Sequence, residues 1–433
     1  MRAVFKDEEV LKNCKIAQML QNQPPHLSFH TPGHKTAGWD ITELDYSDNL
    51  ASPTGCIAEA EKDIADILGA CKSFILTDGS TAGVLSMLYA AKNMGAKRVL
   101  TSESAHKSVF NGCAALELEL LLYPAKISKK IPLPHTMYEL KCGYPSLLEV
   151  ADALLFTSPD YYGNVADLAE IRKYCEQTKK MLLIDGAHGG HLHLDKEIYA
   201  GAYADMWVDG VHKSLPALTQ GAVVSARTEK FAEALQKGVN IFRTTSPSYP
   251  IMASVEYAVK YPRNFELEKR AKDFAKSPRV YANEDWTKLC ALFGENAFAV
   301  EKILQSEGIY AEFCDGNALC FYLSPATELA DFERLKNRLE RLFEQFPFTT
   351  DGKKESTEES RVEIVDGATE WLSLDEAVGM VSAEFCGLFP PCTPLISRGE
   401  IITGEKISLL KRATHTFGLK NEKIAVWKGA KKE

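Results

Sequence analysis

Two segments of this sequence carry an amine and a carboxylate in settings that are unusual for surface charges. Lys213 follows His212 and precedes Ser214 and an apolar run that ends at Leu218. Because burial disfavours the ammonium form, a lysine in such surroundings loses its proton at modest cost. A neutral amine is the nucleophile that forms a Schiff base with a carbonyl compound. We therefore interpret Lys213 as a covalent attachment point rather than as a solvated surface lysine.

The second segment ends in an acid. Residues 182–185 form an apolar stretch with Asp185 at its end, and the Gly/Ala/His turn 186–189 follows. A carboxylate that holds a proton on a pyridine nitrogen, with a lysine that bonds an aldehyde, is the pair that pyridoxal 5′-phosphate (PLP) requires. The sequence thus predicts PLP as the cofactor, with Asp185 and Lys213 at opposite ends of its ring.

A third segment has the composition of a phosphate-binding turn. Residues 73–76 are predicted to form a strand and residues 82–92 a helix, with Gly79, Ser80 and Thr81 between them. The unpaired N–H groups of a first helical turn and the helix dipole favour an anion, and the hydroxyls add donors. Either hydroxyl could instead be a plain N-cap. With the aspartate and the lysine downstream, we favour phosphate binding.

Three loops carry further candidates. His106 follows a strand predicted over residues 98–100, where its imidazole could stack on a planar cofactor or cap a helix. The hydroxyl-rich loop 244–250 precedes a predicted helix and suits an anion, including the phosphate of a neighbouring subunit. The loop 158–163 either carries site residues or merely turns the chain.

His30 and His34 have a spacing that would suit a metal if they lay on a helix. Pro32 and Gly33 lie between them and prevent a shared helical face. We therefore predict no metal site. The loop either reaches into an active site or forms a structural turn.

The alternation of strands and helices over residues 73–226 predicts an α/β fold with a mostly parallel sheet covered on both faces. Such sheets bind ligands at the carboxyl ends of their strands, and every candidate in this region lies at such an end. Outside this region, helices are predicted over residues 8–21 and 373–383. The predicted organisation is an N-terminal arm with an active-site loop (1–50), a PLP-binding large domain (51–261), a connector (262–281) and a smaller α+β C-terminal domain (282–433).

Composition bounds the partners and the compartment. The 433 residues carry a net charge of −9, which argues against nucleic acid because phosphate contacts require an excess of Lys and Arg. Eleven cysteines without a C-x-x-C pair indicate reduced thiols and hence a cytoplasmic protein. The charged N-terminus does not resemble a signal peptide, and no apolar run reaches the length of a membrane span.

Together these segments resemble the Orn/Lys/Arg decarboxylase family of fold type I PLP enzymes, in a short form without the extra terminal domains of its large members. The motifs that carry the resemblance are residues 30–35, 78–81, 105–108, 184–189, 212–221, 244–250 and 390–400. It implies that the chain decarboxylates lysine, arginine or ornithine to CO₂ and the corresponding amine, as in polyamine biosynthesis.

The resemblance also implies a role for each site residue. Lys213 would bond the PLP aldehyde, and Asp185 would pair with the pyridine nitrogen. His106 would stack on the ring, and His188 would lie beside the cofactor near Asp185.

The phosphate would be held by Ser80, Thr81 and His212. The family is built from dimers with the active site at the interface, and some dimers assemble further. Thr245 or Ser246 would therefore reach the phosphate of the partner chain.

The sequence departs from the family pattern at Gly210, where members usually have a serine that helps to hold the phosphate. For the substrate, His34 and Glu400 are candidates, the carboxylate of Glu400 being suited to a basic side chain. An aminotransferase or lyase remains an alternative, with Arg398 as a clamp for the substrate carboxylate. A non-catalytic PLP-fold protein is the third possibility.

Overall fold

The computed structural model of the chain describes residues 5–35, 38–128, 131–347, 367–389, 394–413 and 415–431. The loop predicted over residues 351–360 and the first part of the 390–400 motif, residues 390–393, lie outside these ranges.

A seven-stranded sheet forms the centre of the fold. The strands up to residue 226 are β1 (Lys72–Leu76), β2 (Arg98–Ser102), β3 (Glu119–Tyr123), β4 (Lys126–Ser128), β5 (Ile131–Leu133), β6 (Ala153–Thr157), β7 (Met181–Gly186), β8 (Met206–Asp209) and β9 (Ala222–Ala226). The sheet has the order β1-β9-β8-β7-β6-β2-β3, and β4 and β5 pair separately. Only the two pairings of β9 in this sheet are antiparallel. The predicted mostly parallel sheet is confirmed.

Helices cover both faces of this sheet. The helices up to residue 274 are α1 (Glu8–Leu11), α2 (Lys15–Gln21), α3 (Cys56–Leu68), α4 (Gly79–Asn93), α5 (Lys107–Ala115), α6 (Met137–Gly143), α7 (Pro145–Val150), α8 (Leu168–Thr178), α9 (Val211–Ser214), α10 (Glu229–Phe242), α11 (Tyr249–Val259) and α12 (Phe265–Phe274). The expected single helix over residues 8–21 is wrong, because α1 and α2 are separate. The buried carboxylate of Glu256 accepts the N–H groups of Lys15 and Ile16 at 2.7 and 2.9 Å, so a helix start is stabilised there.

Alternate residues of the central strands enter two different cores. Leu182 and Ile184 of β7 pack in the core on one face, and Leu183 packs in the core on the other. The same alternation holds in β8, where Trp207 and Val208 point to opposite faces. Since both faces are covered, the strand ends are where this sheet can expose polar groups to a ligand.

The C-terminal part contains three small sheets. Its elements are β10 (Lys288–Leu292), α13 (Ala297–Ser306), β11 (Phe313–Cys314), β12 (Ala318–Tyr322), α14 (Leu329–Gln345), β13 (Thr369–Ser373), β14 (Met380–Ser382), β15 (Cys386–Leu388), β16 (Pro394–Ile396), α15 (Gly404–Arg412), β17 (Thr416–Phe417) and β18 (Lys423–Lys431). The sheets have the orders β10-β12-β11, β13-β18-β14 and β16-β15-β17.

The helix expected over residues 373–383 is wrong. The segment instead forms the end of β13, a turn, and β14, and both strands pair with β18. Gly379 has φ +83°, a left-handed conformation that ends regular structure. The apolar residues Ala377, Met380 and Val381 are all buried, so a spacing compatible with a helix also fills this strand pair.

The loop before α3 is held by one carboxylate. Asp48 accepts backbone N–H groups from Asn49, Thr54, Gly55 and Ile57 at 2.8 to 2.9 Å. Burial alone would raise the pKa of Asp48, but these four hydrogen bonds lower it below the ordinary aspartate value. The ionised carboxylate thus stabilises the loop.

We expect Asp48→Ala to lower the free energy of unfolding at pH 7 by about 2–4 kcal/mol, because it leaves four N–H groups without their charged acceptor. The contribution is present above the unfolded pKa of an aspartate, about 4, and is lost as pH falls through the lower folded pKa. Denaturant unfolding at pH 7 and pH 3.5 measures both effects. Exposed Asp45 provides the control, and equal stability of Asp48→Ala and Asp45→Ala at pH 7 would refute the assignment.

Candidate active site

The carboxyl ends of β1, β2, β7 and β8 bring the predicted residues to one edge of the sheet. Lys213 lies close enough to His106 and Asp185 for its charge to lower the pKa of each. The two segments that flank the predicted phosphate site also meet, since a Cβ at Gly210 would lie 2.7 Å from Ser80 Oγ. Residues far apart in sequence therefore form one cluster.

Lys213 contacts a buried histidine. Its Nζ lies 3.0 Å from Nε2 of His188, whose ring centroid lies 4.7 Å from that of Tyr161 and 5.5 Å from that of Tyr322, both edge-on. Burial lowers the pKa of His188 well below its ordinary value, and the charges of Lys213 and Lys288 lower it further. His188 is therefore a neutral imidazole, able to exchange a hydrogen bond with the lysine.

Asp185, at the end of β7, is 2% exposed. Its Oδ1 accepts the N–H of Ala187 at 3.1 Å. Burial raises the pKa of Asp185, and the charge of Lys213 opposes this rise. A protonated pyridine nitrogen would give this desolvated carboxylate a cationic partner, so Asp185 fits the predicted cofactor.

A second buried aspartate at a strand end points away from the site. Asp185 is the register partner of Val208 in the parallel pair β7–β8, so Asp209 faces the opposite side of the sheet. Oδ2 of Asp209 accepts hydrogen bonds from Tyr199 Oη at 2.6 Å and Trp207 Nε1 at 3.1 Å. Burial raises the pKa of Asp209 to about 7. Both carboxylates are buried at strand ends, and they differ in the face of the sheet toward which their position in the strand directs them.

His106 is both a helix cap and a member of the cluster. Its Nδ1 accepts the N–H of Ser108 at 3.2 Å at the start of α5. Burial, followed by the charges of Lys213 and Lys107, lowers the pKa of His106 to about 4. The imidazole is therefore neutral near pH 7, with its proton on Nε2. Its stacking role remains a prediction.

The predicted phosphate turn has the features of an anion site. α4 begins at Gly79, which has φ +75°. Ser80 Oγ is buried and has no hydrogen-bond partner among the described residues, whereas Thr81 is exposed. The ring of His212 is fixed by a contact of 3.0 Å between Nδ1 and the carbonyl oxygen of Gly221. An unpaired hydroxyl at a helix N-terminus fits a phosphate group.

Gly210, where family members carry a serine, lies in a space too small for a side chain. A Cβ would lie 2.5 Å from the carbonyl oxygen of Ala187 and 2.7 Å from Ser80 Oγ. The first clash involves backbone and cannot be relieved by a rotamer change. The glycine therefore lets the turn after β7 approach the start of α9 closely.

His34 and Glu400 remain predictions as substrate-binding residues. His34 is exposed, and its Nε2 lies 3.0 Å from Asp40 Oδ2. The Glu400 carboxylate accepts hydrogen bonds from Lys406 Nζ and, at 2.8 Å, from the N–H of Ser397. Neither contact involves the Lys213 cluster. Among the described residues, no group of three His, Cys, Asp or Glu side chains is placed to hold a metal ion.

Thr245 and Ser246 lie on an exposed loop. The N–H of Thr244 donates to Asp78 Oδ2 at 3.3 Å, which joins this loop to the phosphate turn of the same chain. That Thr245 or Ser246 reaches the phosphate of a partner chain remains a prediction.

Sequence reasoning missed Tyr322 and Lys288, which pack around His188 and belong to the C-terminal part. No local pattern marks either residue. Tyr161 lies in the loop 158–163, for which a site role was one of two expectations.

The sheet, with a lysine, an aspartate and an anion turn at its strand ends, defines a fold type I PLP-dependent enzyme. The family described as Orn/Lys/Arg decarboxylase, major domain, matches residues 17–279. The chain belongs to this family, and its cofactor is PLP.

Individual proteins agree with this assignment. The chain is 28% identical to an arginine decarboxylase of Bacillus subtilis over 89% of this chain and 90% of that protein. It is 27% identical to the uncharacterized protein YaaO of the same organism, over 92% of this chain and 95% of that protein. The structure of the constitutive lysine decarboxylase of Escherichia coli matches with a TM-score of 0.69 at 19% identity, over 98% of this chain and 82% of that one. The last match supports the fold.

We expect Gly210→Ser to weaken PLP binding and to lower the free energy of unfolding by about 1–3 kcal/mol, because a Cβ overpacks the turn. Gly210→Ala is the matched variant, since it adds the Cβ without a hydroxyl. PLP titration followed by absorbance, with denaturant unfolding, compares the two. Tighter PLP binding by the serine variant than by the natural chain would contradict this explanation.

Proposed function

We propose that this protein is a PLP-dependent decarboxylase of a basic amino acid. The observation that carries the proposal is the contact between Lys213 and neutral His188 beside buried Asp185. Membership of the Orn/Lys/Arg decarboxylase family supports the reaction class. Relatives that match along most of their length are named arginine decarboxylases, so arginine is the first substrate to test, followed by lysine and ornithine.

When bound, PLP supplies an electron sink for the bond between Cα and the departing carboxylate. Asp185 would keep a proton on the pyridine nitrogen, because a desolvated carboxylate favours a cationic partner. His106 would restrain the ring, and the α4 N-terminus with Ser80 would hold the phosphate. Lys213 would hold the cofactor through its aldehyde, and its Nζ would also be placed to carry a proton.

Proton transfer to the substrate Cα is assigned to Lys213 or His188. The two nitrogens lie 3.0 Å apart, within the distance at which one proton can pass between them. Because burial keeps His188 neutral, its Nε2 can accept a hydrogen bond from the lysine ammonium, and its lowered pKa leaves the proton on Lys213. The edges of Tyr161 and Tyr322 against its ring help to exclude water from this exchange.

The structure gives no support to a transamination clamp. The guanidinium carbon of Arg398, proposed above as an alternative substrate anchor, lies 5.2 Å from the ring centroid of Trp427, in the C-terminal part. At Gly210, the departure that motivated the non-catalytic alternative, a side chain would have no space, and the turnover assay below tests that alternative.

Further features remain proposals. We propose a homodimer with the active site at its interface, the domain limits given above, a cytoplasmic location and a place in polyamine biosynthesis. No helix within the described residues is long and apolar enough to cross a membrane.

Incubation of the PLP-loaded enzyme with arginine, lysine and ornithine should release CO₂ and the matching amine from one of them. Lys213→Ala should abolish this release and the absorbance band that PLP acquires on bonding to a lysine, while Lys107→Ala should keep the band. Borohydride reduction followed by peptide mass spectrometry should place the label on Lys213. A persistent band in Lys213→Ala would refute the assignment, and an oxo-acid product that requires a co-substrate would instead identify an aminotransferase.

Asp185→Asn should lower the decarboxylation rate by about 100-fold or more, because a neutral amide holds the ring proton far less well. Asp209→Asn, at the neighbouring strand end but on the opposite face, is the matched control and should keep at least a third of the rate, a change in the activation free energy of about 0.7 kcal/mol or less. Steady-state rates measured at saturating PLP make the comparison. A larger loss of rate in Asp209→Asn than in Asp185→Asn would show that Asp185 is the wrong assignment for the ring contact.

A further inference from the structure

A buried ion cluster lies behind the active site. The Lys288 and Asp285 side chains are both 0% exposed, and Nζ lies 3.2 Å from Oδ2. Asp285 Oδ1 contacts His191 Nε2 at 2.8 Å and accepts a hydrogen bond from Thr287 Oγ1 at 2.7 Å. Burial would raise the pKa of Asp285, but the charges of His191 and Lys288 lower it. The carboxylate is thus ionised within the cluster.

This cluster joins the C-terminal part to the turn that carries His188. Lys288 Nζ donates to the carbonyl oxygen of His188 at 3.4 Å, and His191, on the same segment, contacts Asp285. Lys288 Nζ also lies 4.5 Å from the centroid of the Tyr322 ring, its cross-strand neighbour on β12. The lysine therefore contacts both the backbone of His188 and a ring that packs against the His188 side chain.

A buried lysine is a costly choice for packing alone. Desolvating an ammonium ion is unfavourable by several kcal/mol, and an apolar residue of similar volume often serves stability equally well. Here the ammonium contacts Thr287 Oγ1 at 2.9 Å and Asp285 Oδ2 at 3.2 Å, and its other two contacts, with the His188 carbonyl oxygen and the Tyr322 ring, restrain groups next to the Lys213 partner. The Lys288 ammonium group is thus held at a fixed position beside the backbone of His188.

The geometry points to Lys288 as a positioning residue that, with Asp285, holds His188 in the position where it contacts Lys213. The inference rests on the proposed function, since it assigns His188 to proton exchange with that lysine. Lys288 does not touch the reacting atoms and acts through the His188 carbonyl and the Tyr322 ring. Its cationic charge also adds to the forces that keep His188 neutral.

The test uses the PLP-loaded full chain. Lys288→Met keeps the length of the side chain and removes its charge. We expect kcat to fall by about 10–100-fold with KM within about threefold, because a displaced His188 affects the reaction more than substrate binding. The pH midpoint of the PLP absorbance band should rise by about one unit, since removal of a nearby cation favours protonation.

Lys260 provides the matched control. It is another largely buried lysine with two carboxylate partners, Asp63 at 2.7 Å and Glu256 at 2.9 Å, and no recorded contact with His188. Lys260→Met should lose stability while keeping kcat and the absorbance midpoint. If Lys288→Met and Lys260→Met change kcat and the midpoint equally, the positioning role is refuted.

A double variant addresses the buried Asp285 charge, which loses its lysine partner in Lys288→Met and thereby destabilises the fold. Lys288→Met combined with Asp285→Asn removes both charges and should fold, yet retain the loss in kcat, whereas the midpoint shift should shrink because an anion is removed together with the cation. A folded double variant with natural kcat would overturn the inference. Absence of decarboxylation by the natural enzyme would refute the proposed function, whereas the absorbance titration requires no turnover and tests Lys288 separately.

Discussion

The contact between Lys213 Nζ and His188 Nε2 is the interaction on which the rest of this site depends. It requires a lysine from the start of α9 and a histidine from the turn after β7 to meet at 3.0 Å, with the histidine buried and the lysine half-buried. Adjacent strands β7 and β8 supply the two segments, and Gly210 permits their close approach. In this chain a side chain at that glycine would clash with the Ala187 carbonyl oxygen and Ser80 Oγ, so the packing of the two segments depends on the absence of a Cβ.

Desolvation determines the charge of every titratable group around this contact. It raises the pKa of Asp185 and lowers those of His106, His188 and His212. The histidines are therefore neutral near pH 7, and the lysine charges that act on His188 are those of Lys213 and the buried Lys288. Asp185 is a carboxylate close to Lys213, since the charge of the lysine lowers the pKa of that aspartate.

Local sequence patterns were sufficient for the central sheet but insufficient beyond it. Residues 153–157 form β6, for example, and a parallel strand buried on both faces reads in the sequence as a continuous apolar run. The helix predicted over residues 373–383 was wrong for the opposite reason. Their structure depends on hydrogen bonds to β18, about 50 residues away in sequence, and local spacing carries no information about that partner.

The same limit applies to the site. The strand-end rule located Lys213 and Asp185, since each lies where a parallel sheet must expose its ligands. It could not find Lys288, which begins a strand of a different sheet and reads as an ordinary surface charge. Its role depends on two long-range facts, the pairing of β10 with β12 and the packing of β12 against His188. A residue that acts through another residue has no motif of its own, because its contacts are set by the tertiary fold.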